Sequence, residues 1–265
     1  MPDALVERRG AVVVVTLNRP ERLNALTGAM LIRFHDACEE ASNDPDVRCL
    51  VLTGAGGNFC AGADLRAMAG DAKSDDPLDT KARMTEDPDL IYKAMFRHYR
   101  PTKPIVAAVE GAAIAGGTEL LAATEIRVAG ESARFGVSEA RWSLYPMAGS
   151  AVRLPRQIAY THAAELLLTG KHISAQEALD IGLIGHVVPD GTALDKAMEL
   201  AEQVASCGPI AVAAITKTLH ETDGMTLDEG LRYEWDYGQA VLKSNDAKEG
   251  PRAFAEKRPP VFTNT

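Results

Sequence analysis

The stretch PIVAAVEGAAIAGGTELLAA (residues 104–123) decides how the chain is predicted to fold. Residues 104–109 are apolar without interruption, which is typical of a strand that is buried on both faces. Good helix formers follow Gly116 and Gly117, so a helix is predicted to begin near Gly116. A strand, a glycine turn and a helix in this order make one unit of an α/β fold.

A second unit of the same kind lies upstream. Residues 47–52 read as a buried strand and lead into a glycine-rich turn that ends at Asp64, where another helix start is predicted. Residues 11–17 predict a further strand, and Thr27 is the predicted cap of a helix that runs to about Asn43. Strands and helices therefore alternate, as in an α/β fold.

Two glutamates stand among small and apolar residues rather than in a charged run. Glu119 follows Gly116 by one helical turn, and Glu139 ends the segment Phe135-Gly-Val-Ser-Glu139. A carboxylate removed from water is unstable unless it is hydrogen-bonded, paired or shifted in pKa, and a pair of this kind suits acid and base catalysis. The ordinary alternative for Glu119 is an acidic residue that complements the dipole of a first helical turn.

The two glycine turns also predict hydrogen-bond donors. The first N–H groups of a helix have no partner within it, and glycine lets a substrate oxygen approach them closely. Gly116 can supply one such donor, and the turn before Asp64 can supply a second. Together they would form an oxyanion hole.

Three motifs give the arrangement a family resemblance. Phe59-Cys-Ala-Gly-Ala-Asp64-Leu, Ala115-Gly-Gly-Thr-Glu119 and Phe135-Gly-Val-Ser-Glu139 resemble, in this order, the enoyl-CoA hydratase (crotonase) family. The resemblance runs from Val15-Thr-Leu-Asn-Arg-Pro to Phe254-Ala-Glu-Lys-Arg258. It implies an α/β crotonase-like (ClpP/crotonase) fold: a spiral of ββα units over 1–189, with the thioester and CoA site, and a C-terminal helical trimerisation region over 190–265.

The resemblance also implies roles for single residues. The backbone N–H groups of Ala63 and Gly116 match the pair that holds the thioester carbonyl, and Glu119 and Glu139 match the two catalytic acids of the hydratases. The implied reaction is the reversible syn addition of water to a trans-2-enoyl-CoA, which gives a 3-hydroxyacyl-CoA. We hypothesise that Glu119 activates the water and that Glu139 supplies the proton at C2, although coupled acids resist assignment from sequence.

No separate cofactor is expected, because coenzyme A is itself part of the substrate. The family positions that match binding of the substrate or of CoA are Arg22, Ala61, Asp64, Leu65, Arg66, Met147 and Lys257. Arg22, Arg66 and Lys257 are the candidates for a basic rim, and the alternative is that they are ordinary solvated side chains.

The chain departs from the family after Glu139. Many hydratases have Gly-Thr-Ile-Pro-Gly-Ala-Gly-Gly there, whereas this chain has Ser143-Leu-Tyr-Pro-Met-Ala-Gly-Ser150, with Met147 after the proline. Trp142 and Tyr145 lie in the same segment, and they either line the acyl pocket or pack in the core. The departure predicts a reshaped pocket for a larger acyl group, branched or ring-bearing, in fatty-acid or related β-oxidation, including that of a sterol side chain.

Composition excludes several other classes. The net charge of −9 argues against nucleic acid as a partner. The four cysteines and six histidines show no metal-ligand spacing, and Cys60 is interpreted as structural. No apolar run is long enough for a signal peptide or a membrane span, so the expected location is cytoplasmic.

The end of the chain is predicted to be helical. Four helices are expected, over 193–206, 209–221, 227–242 and 246–257, and the resemblance implies a homotrimer or a dimer of trimers. Residues 70–80 are predicted to form a mobile loop over the acyl site.

Alternatives of other classes remain. Residues 54–59 look like a dinucleotide turn, but Phe59 stands where the third glycine is needed. Within the family, an enoyl-CoA isomerase is the nearest alternative. A non-catalytic acyl-CoA-binding protein is the other, and the retention of both glutamates argues against it.

Overall fold

Two β-sheets organise the computed structural model, which describes residues 1–64 and 75–265. The strands in these residues are β1 (Ala4–Arg9), β2 (Val12–Leu17), β3 (Cys49–Gly54), β4 (Ile105–Val109), β5 (Ala112–Ile114), β6 (Ile126–Gly130), β7 (Arg134–Gly136), β8 (Ile173–Ser174) and β9 (His186–Val188). The larger sheet has the order β1-β2-β3-β4-β6-β9, and the smaller has the order β5-β7-β8.

Parallel pairing dominates the larger sheet. Only β1 runs antiparallel to its neighbour in it, and β2, β3, β4, β6 and β9 are parallel. Val12 and Val14 of β2 face one core, while Val13 and Val15 face the other, because successive side chains of a strand point to opposite faces. Burial on both faces explains why β2 reads as an unbroken apolar run.

Helices connect the strands and cover the sheets. In the described residues they are α1 (Gly28–Asn43), α2 (Thr80–Glu86), α3 (Leu90–Ala94), α4 (Gly116–Leu121), α5 (Ser150–Gln157), α6 (Tyr160–Thr169), α7 (Ala175–Asp180), α8 (Ala193–Ser206), α9 (Pro209–Glu221), α10 (Leu227–Leu242) and α11 (Asn245–Ala255). Two 3₁₀ turns, Pro20–Arg22 and Glu139–Trp142, complete the set.

Helices pack on both faces of the larger sheet. α1 contributes Met30 and Phe34 to one core, and α8 contributes Ala193, Ala197 and Ala201 to the other. α8 therefore packs on the sheet although it lies in the region 190–265 that was predicted to be helical and oligomeric. The division of the chain at residue 189 stays a prediction.

Most of the predicted helix boundaries are confirmed. Thr27 caps α1 by accepting the N–H of Met30, and α4 begins at Gly116. The helices predicted over 193–206, 209–221 and 227–242 have these bounds. The last one ends two residues before the predicted Lys257, which has φ of 54°, a left-handed value that does not continue a helix.

Strand β3 begins and ends two residues later than predicted, at Cys49–Gly54. Its register explains the shift, because Leu17 at the end of β2 pairs with Gly54. The helix start predicted after Asp64 and the first part of the mobile loop predicted over 70–80 lie outside the described residues. From 75 onward, Asp76 accepts hydrogen bonds from Arg33 and from the N–H of Asp3.

The C-terminal helices leave apolar side chains exposed. α10 has no buried residue, and it presents large apolar side chains to solvent at Leu227, Leu231, Trp235 and Leu242. Ile215 and Leu219 of α9 are exposed as well. Among the described residues, no helix combines the length and the apolar character that crossing a membrane requires.

Candidate active site

The predicted catalytic and oxyanion-hole residues meet at one cavity of about 750 Å³. Both glutamates, Glu119 and Glu139, line this cavity, and so do Ala63, Gly116 and Met147. They come from three separate segments of the chain, at residue 63, residues 116–119 and residues 139–147. The fold therefore brings together the pair of acids and the pair of amides that the sequence predicted.

The first amide belongs to the start of α4. Gly116 is the first residue of this helix, so its N–H has no acceptor within the helix. Ala115 before it has φ of 54° and ψ of −124°, a conformation that costs a residue with a Cβ on the order of 1–3 kcal/mol. Strain of this kind persists where surrounding contacts fix the backbone, and here it lies directly before the proposed donor.

The second amide belongs to the turn at Ala63. Leu26 and Ala63 form an isolated parallel bridge, in which Leu26 N–H donates to Gly62 O (2.8 Å) and Asp64 N–H donates to Leu26 O (3.4 Å). Within the described residues, this pattern leaves the N–H of Ala63 without an acceptor. A Cβ placed on Gly116 would lie 3.8 Å from the nitrogen of Ala63, so the two amides border the same small volume.

Close packing fixes the two loops relative to each other. Gly62 has φ of 92°, and a Cβ on it would lie 2.7 Å from the Cβ of Ala115. Cys60 N–H donates to Ala112 O (2.8 Å), and Ile114 N–H donates to Cys60 O (2.9 Å). The spacing of the two amides is therefore set by backbone contacts on both sides of them.

Asp64 has a contact with the protein itself. Its carboxylate lies 3.0 Å from the guanidinium of Arg19, and both side chains are buried. Arg19 also donates to the carbonyl of Ala25 (2.9 Å). This pair ties the turn after Ala63 to the segment that carries Leu26, which is an internal role beside the substrate-binding role predicted for Asp64.

Glu119 is buried in the wall of the cavity and has two donors. The N–H and the Oγ of Ser150 both donate to its Oε1, at 3.1 and 3.0 Å. Burial raises the pKa of Glu119, because desolvation disfavours the charged form, whereas the bonds from Ser150 and the charge of Arg153 oppose that rise. Glu119 is thus an acid whose ionised form has specific support.

Glu139 is the first residue of the second 3₁₀ turn, and its surroundings differ. Its Oε2 is buried and has no hydrogen-bond partner in the described part of the chain. Burial raises the pKa of Glu139 to about 7, and the neighbouring charge of Glu119 adds to the rise. At neutral pH the two acids can therefore hold one proton between them, as acid and base catalysis requires.

Most of the other side chains in the cavity wall are apolar. Leu144, Tyr145 and Met147 line it after Glu139. Helices α1, α2 and α3 contribute Leu31, Met84, Ile91 and Tyr92, and Met95 lines it directly after α3. Tyr145 is therefore a cavity residue. Trp142 is not among the lining residues and is 67% exposed, so neither the pocket nor the core contains it.

The other predicted binding residues have different positions. Ala61 donates its N–H to Leu23 O (2.9 Å), directly beside the turn that carries Ala63. Arg22 is exposed in the first 3₁₀ turn, and Lys257 is exposed after α11, which packs on α10. Neither of them lines the cavity. Leu65 and Arg66 lie outside the described residues.

A family model described as enoyl-CoA hydratase/isomerase matches residues 7–265 of this chain. The chain belongs to the enoyl-CoA hydratase/isomerase family. It is 57% identical over 263 residues to enoyl-CoA hydratase EchA19 of Mycobacterium tuberculosis, with 99% of this chain and 97% of that protein covered. It is 36% identical to carnitinyl-CoA dehydratase of Salmonella enteritidis, with 96% of each covered.

A solved structure of the same family has the same fold. The crystal structure of enoyl-CoA hydratase from Bacillus anthracis matches with a TM-score of 0.89 at 36% identity, over 99% of this chain and all of that one. The predicted crotonase fold is confirmed.

Cys60 lies beside the amide of Ala63, yet its environment disfavours a nucleophilic role. The side chain is fully buried, and burial raises the pKa of its thiol to about 12, so that the thiolate is scarce at neutral pH. Cys38, Cys49 and Cys207 are free as well. Among the described residues, no cluster of His, Cys, Asp or Glu has the makings of a metal site.

Sequence reasoning missed two residues that hold the site together. Ser150 is bonded to Glu119, and Arg153 donates to the carbonyls of Ala148 (2.6 Å) and Phe96 (2.7 Å), which joins the loop after Glu139 to the end of α3. The sequence did contain a signal for Ser150, since serine replaces the last glycine of the family loop at this position. Arg153 gave none, because its partners are carbonyl groups far away in the sequence.

Proposed function

We propose that this protein is an enoyl-CoA hydratase that adds water reversibly, in syn fashion, to a trans-2-enoyl-CoA and gives a 3-hydroxyacyl-CoA. The observation that carries this proposal is that one cavity is lined by two glutamates, the buried Glu119 and the half-buried Glu139, and by the two amides of Ala63 and Gly116. Hydration needs both pairs. The amides stabilise the charge that develops on the thioester oxygen, and the acids move the protons.

The thioester oxygen would lie between the N–H groups of Ala63 and Gly116. When the oxygen of water bonds to C3, the π electrons of the C2–C3 double bond move toward the carbonyl, and its oxygen becomes an enolate oxygen. Two fixed N–H donors stabilise this charge more than they stabilise the neutral carbonyl. Removal of one such donor typically lowers kcat by about a hundredfold to a thousandfold.

Two protons are transferred in the proposed reaction, one from the water to a carboxylate and one from a carboxylic acid to C2. Glu119, as the carboxylate, takes one proton from the attacking water, and Glu139, as the acid, gives its proton to C2. One O–H bond of the water and the π bond between C2 and C3 break, and a C3–O bond and a C2–H bond form. Proton exchange with solvent or between the acids restores the starting state. No electron acceptor takes part, and coenzyme A enters only as part of the substrate.

The variants Glu119→Gln and Glu139→Gln test these roles. Each is expected to lower kcat for hydration by at least about a hundredfold, because an amide can act neither as base nor as acid. The Kd for a saturated acyl-CoA should change little, since the amides that hold the thioester remain. If either variant hydrates at the rate of the parent protein, the proposal is wrong.

The same assay distinguishes the two alternatives. A 3-enoyl-CoA isomerase would produce conjugated enoyl absorbance from a 3-enoyl thioester, whereas a hydratase removes that absorbance from a 2-enoyl thioester. A protein that only binds acyl-CoA would bind the saturated thioester and turn over neither compound.

The acyl group that we propose is larger than a short straight chain. The cavity of about 750 Å³ is walled largely by apolar side chains, and three of them, Met84, Met95 and Met147, are flexible enough to adapt to an irregular shape. Its size falls in the range of sites for drug-sized ligands. Turnover of branched or ring-bearing enoyl thioesters should exceed that of the four-carbon thioester. A preference for the four-carbon compound contradicts this part of the proposal.

We also propose that Arg22, Arg66 and Lys257 contribute positive charge to CoA binding. Arg22 is exposed in the turn before Leu26, which lines the cavity. The variant Arg22→Gln should raise KM and weaken its dependence on salt, because salt screens exposed charges. An unchanged KM at low salt would leave Arg22 as an ordinary solvated residue.

The proposed assembly is a homotrimer or a dimer of trimers. The supporting observation is a stripe of exposed apolar side chains on α10, formed by Leu227, Leu231, Trp235 and Leu242. Their spacing places all four on one face of the helix. Sedimentation equilibrium should give a mass of three or six chains. A monomer across micromolar concentrations would overturn this part.

A further inference from the structure

Ser150 is a fully buried serine at the first residue of α5. Its N–H donates to Glu119 Oε1 at 3.1 Å, and its Oγ donates to the same oxygen at 3.0 Å. The related hydratase loop quoted above ends in glycine where this chain has Ser150. A glycine would keep the first of these bonds and lose the second, so the hydroxyl is a feature of this chain's own sequence.

The two acids of the cavity are supported unequally. Both donors of Ser150 reach Glu119, whereas Oε2 of Glu139 is buried without a hydrogen-bond partner in the described residues. Hydrogen bonds to a carboxylate oxygen favour its charged form, and burial without them favours the neutral form. When the two carboxyl groups share one proton, Glu139 therefore holds it more of the time than Glu119 does.

Other charged or titratable groups face Glu119 from several elements. Glu139 approaches from the second 3₁₀ turn and Arg153 from α5, while Tyr92 of α3 and Tyr145 line the same cavity. Arg153 is held by the carbonyls of Met95, Phe96 and Ala148. Removal of the Ser150 hydroxyl leaves all of these groups in the chain, so its effect can be measured separately.

We infer that Ser150 is a positioning residue that keeps Glu119 ionised and so assigns the shared proton to Glu139. The inference rests on the proposed hydration and adds to it a reason why one acid is the base and the other the acid. Ser150 itself bonds to Glu119 and is not among the residues that line the cavity.

The pH dependence of kcat/KM tests this role with Ser150→Ala. The acidic limb of the profile reports ionisation of the base, so loss of the hydroxyl should move that limb to higher pH by about one unit. The basic limb should stay, because Glu119 is already ionised on both sides of that step. Ser150→Gly should give the same shift, and Ser150→Thr, which keeps a hydroxyl, should restore the parent profile. A merely structural role would lower the activity and move neither limb.

Thr124→Val is the matched control, since it removes another buried hydroxyl, one that donates to Leu121 O at 2.8 Å. It should leave both limbs in place. A second readout does not depend on turnover. In a Glu139→Gln background, infrared titration of the Glu119 carboxyl should show a higher pKa when Ser150→Ala is added.

The outcomes separate the two levels of the proposal. If either glutamine variant keeps its activity, the hydration roles fail. If both lose activity, but Ser150→Ala moves neither the acidic limb nor the infrared titration, the roles stand and the inference about Ser150 is wrong.

Discussion

Gly116 is the residue at which an added methyl group would meet the proposed oxyanion position. A Cβ there would lie 3.0 Å from Leu26 Cδ1 and 3.8 Å from the nitrogen of Ala63. We predict that Gly116→Ala lowers kcat/KM by about a hundredfold, the loss typical of one oxyanion donor. The free energy of unfolding should change by less than about 1 kcal/mol, because alanine favours the helix and a side chain can yield. Enzyme kinetics and denaturant unfolding measure the two effects.

Gly230→Ala in α10 is the matched control. Its Cβ would be in ordinary contact with Thr222 at 3.7 Å, remote from the cavity residues. It should leave kcat/KM unchanged. Unchanged activity of Gly116→Ala would mean that the thioester oxygen lies elsewhere.

The raised pKa of Glu139 leads to a prediction of how kcat/KM depends on pH. Its pKa of about 7 means that the acid loses its proton as the pH rises through this value. Because the proposed reaction needs the protonated form, kcat/KM should fall above about pH 7. A pH profile with a 2-enoyl thioester measures this, and a constant kcat/KM up to pH 9 would contradict the assignment.

The same shift predicts a pH dependence of stability. The pKa of Glu139 is higher in the folded protein than the ordinary value of 4.5, so the folded state holds this proton more tightly. Its contribution to stability is complete below about pH 4.5 and is lost as the pH rises toward 7. Glu139→Gln should therefore gain stability relative to the parent over this interval. Urea unfolding at several pH values compares the two, and a constant difference would refute the prediction.

At the scale of elements, two turns hold each other in place. Gly62 precedes one proposed donor and Ala115 precedes the other, and Gly62→Ala would bring two methyl groups to 2.7 Å. Alanine at φ of 92° is strained as well. We predict a loss of about 2–4 kcal/mol in the free energy of unfolding. Denaturant unfolding measures it.

The double variant Gly62→Ala with Ala115→Gly isolates the contact. Removal of the Ala115 methyl group should recover part of the loss, so the two changes should not be additive. Additive effects would mean that backbone strain alone explains the cost. Ala115→Gly by itself supplies the reference.

Local chemistry predicted the elements well for identifiable reasons. Thr27 and Gly116 mark helix starts through capping and glycine turns, which depend on neighbours in the sequence. The end of α11 differed from the prediction because Lys257 adopts a left-handed backbone conformation, which a lysine in the sequence does not indicate. β3 differed because pairing with β2 sets its bounds.

At the scale of the whole molecule, the exposed stripe on α10 predicts a change of assembly. Trp235→Glu would place a charge in the middle of the apolar stripe, and a buried unpaired charge opposes association. We predict that this variant shifts the protein toward smaller species in sedimentation velocity. Val6→Glu, at an exposed position of β1, should keep the mass of the parent. Identical behaviour of the two variants would exclude α10 as the contact.

The sequence by itself determined the α/β class, the helix starts at Thr27 and Gly116, and the pairing of Glu119 with Glu139 as candidate acids. These follow from local propensity and from motifs, which a chain displays without being folded. Tertiary structure decided the approach of the two amides, the apolar wall supplied by α1 to α3, and the unequal support of the two acids. The physical reason is that each of these depends on contacts between segments far apart in the chain, as when Ser150 reaches Glu119.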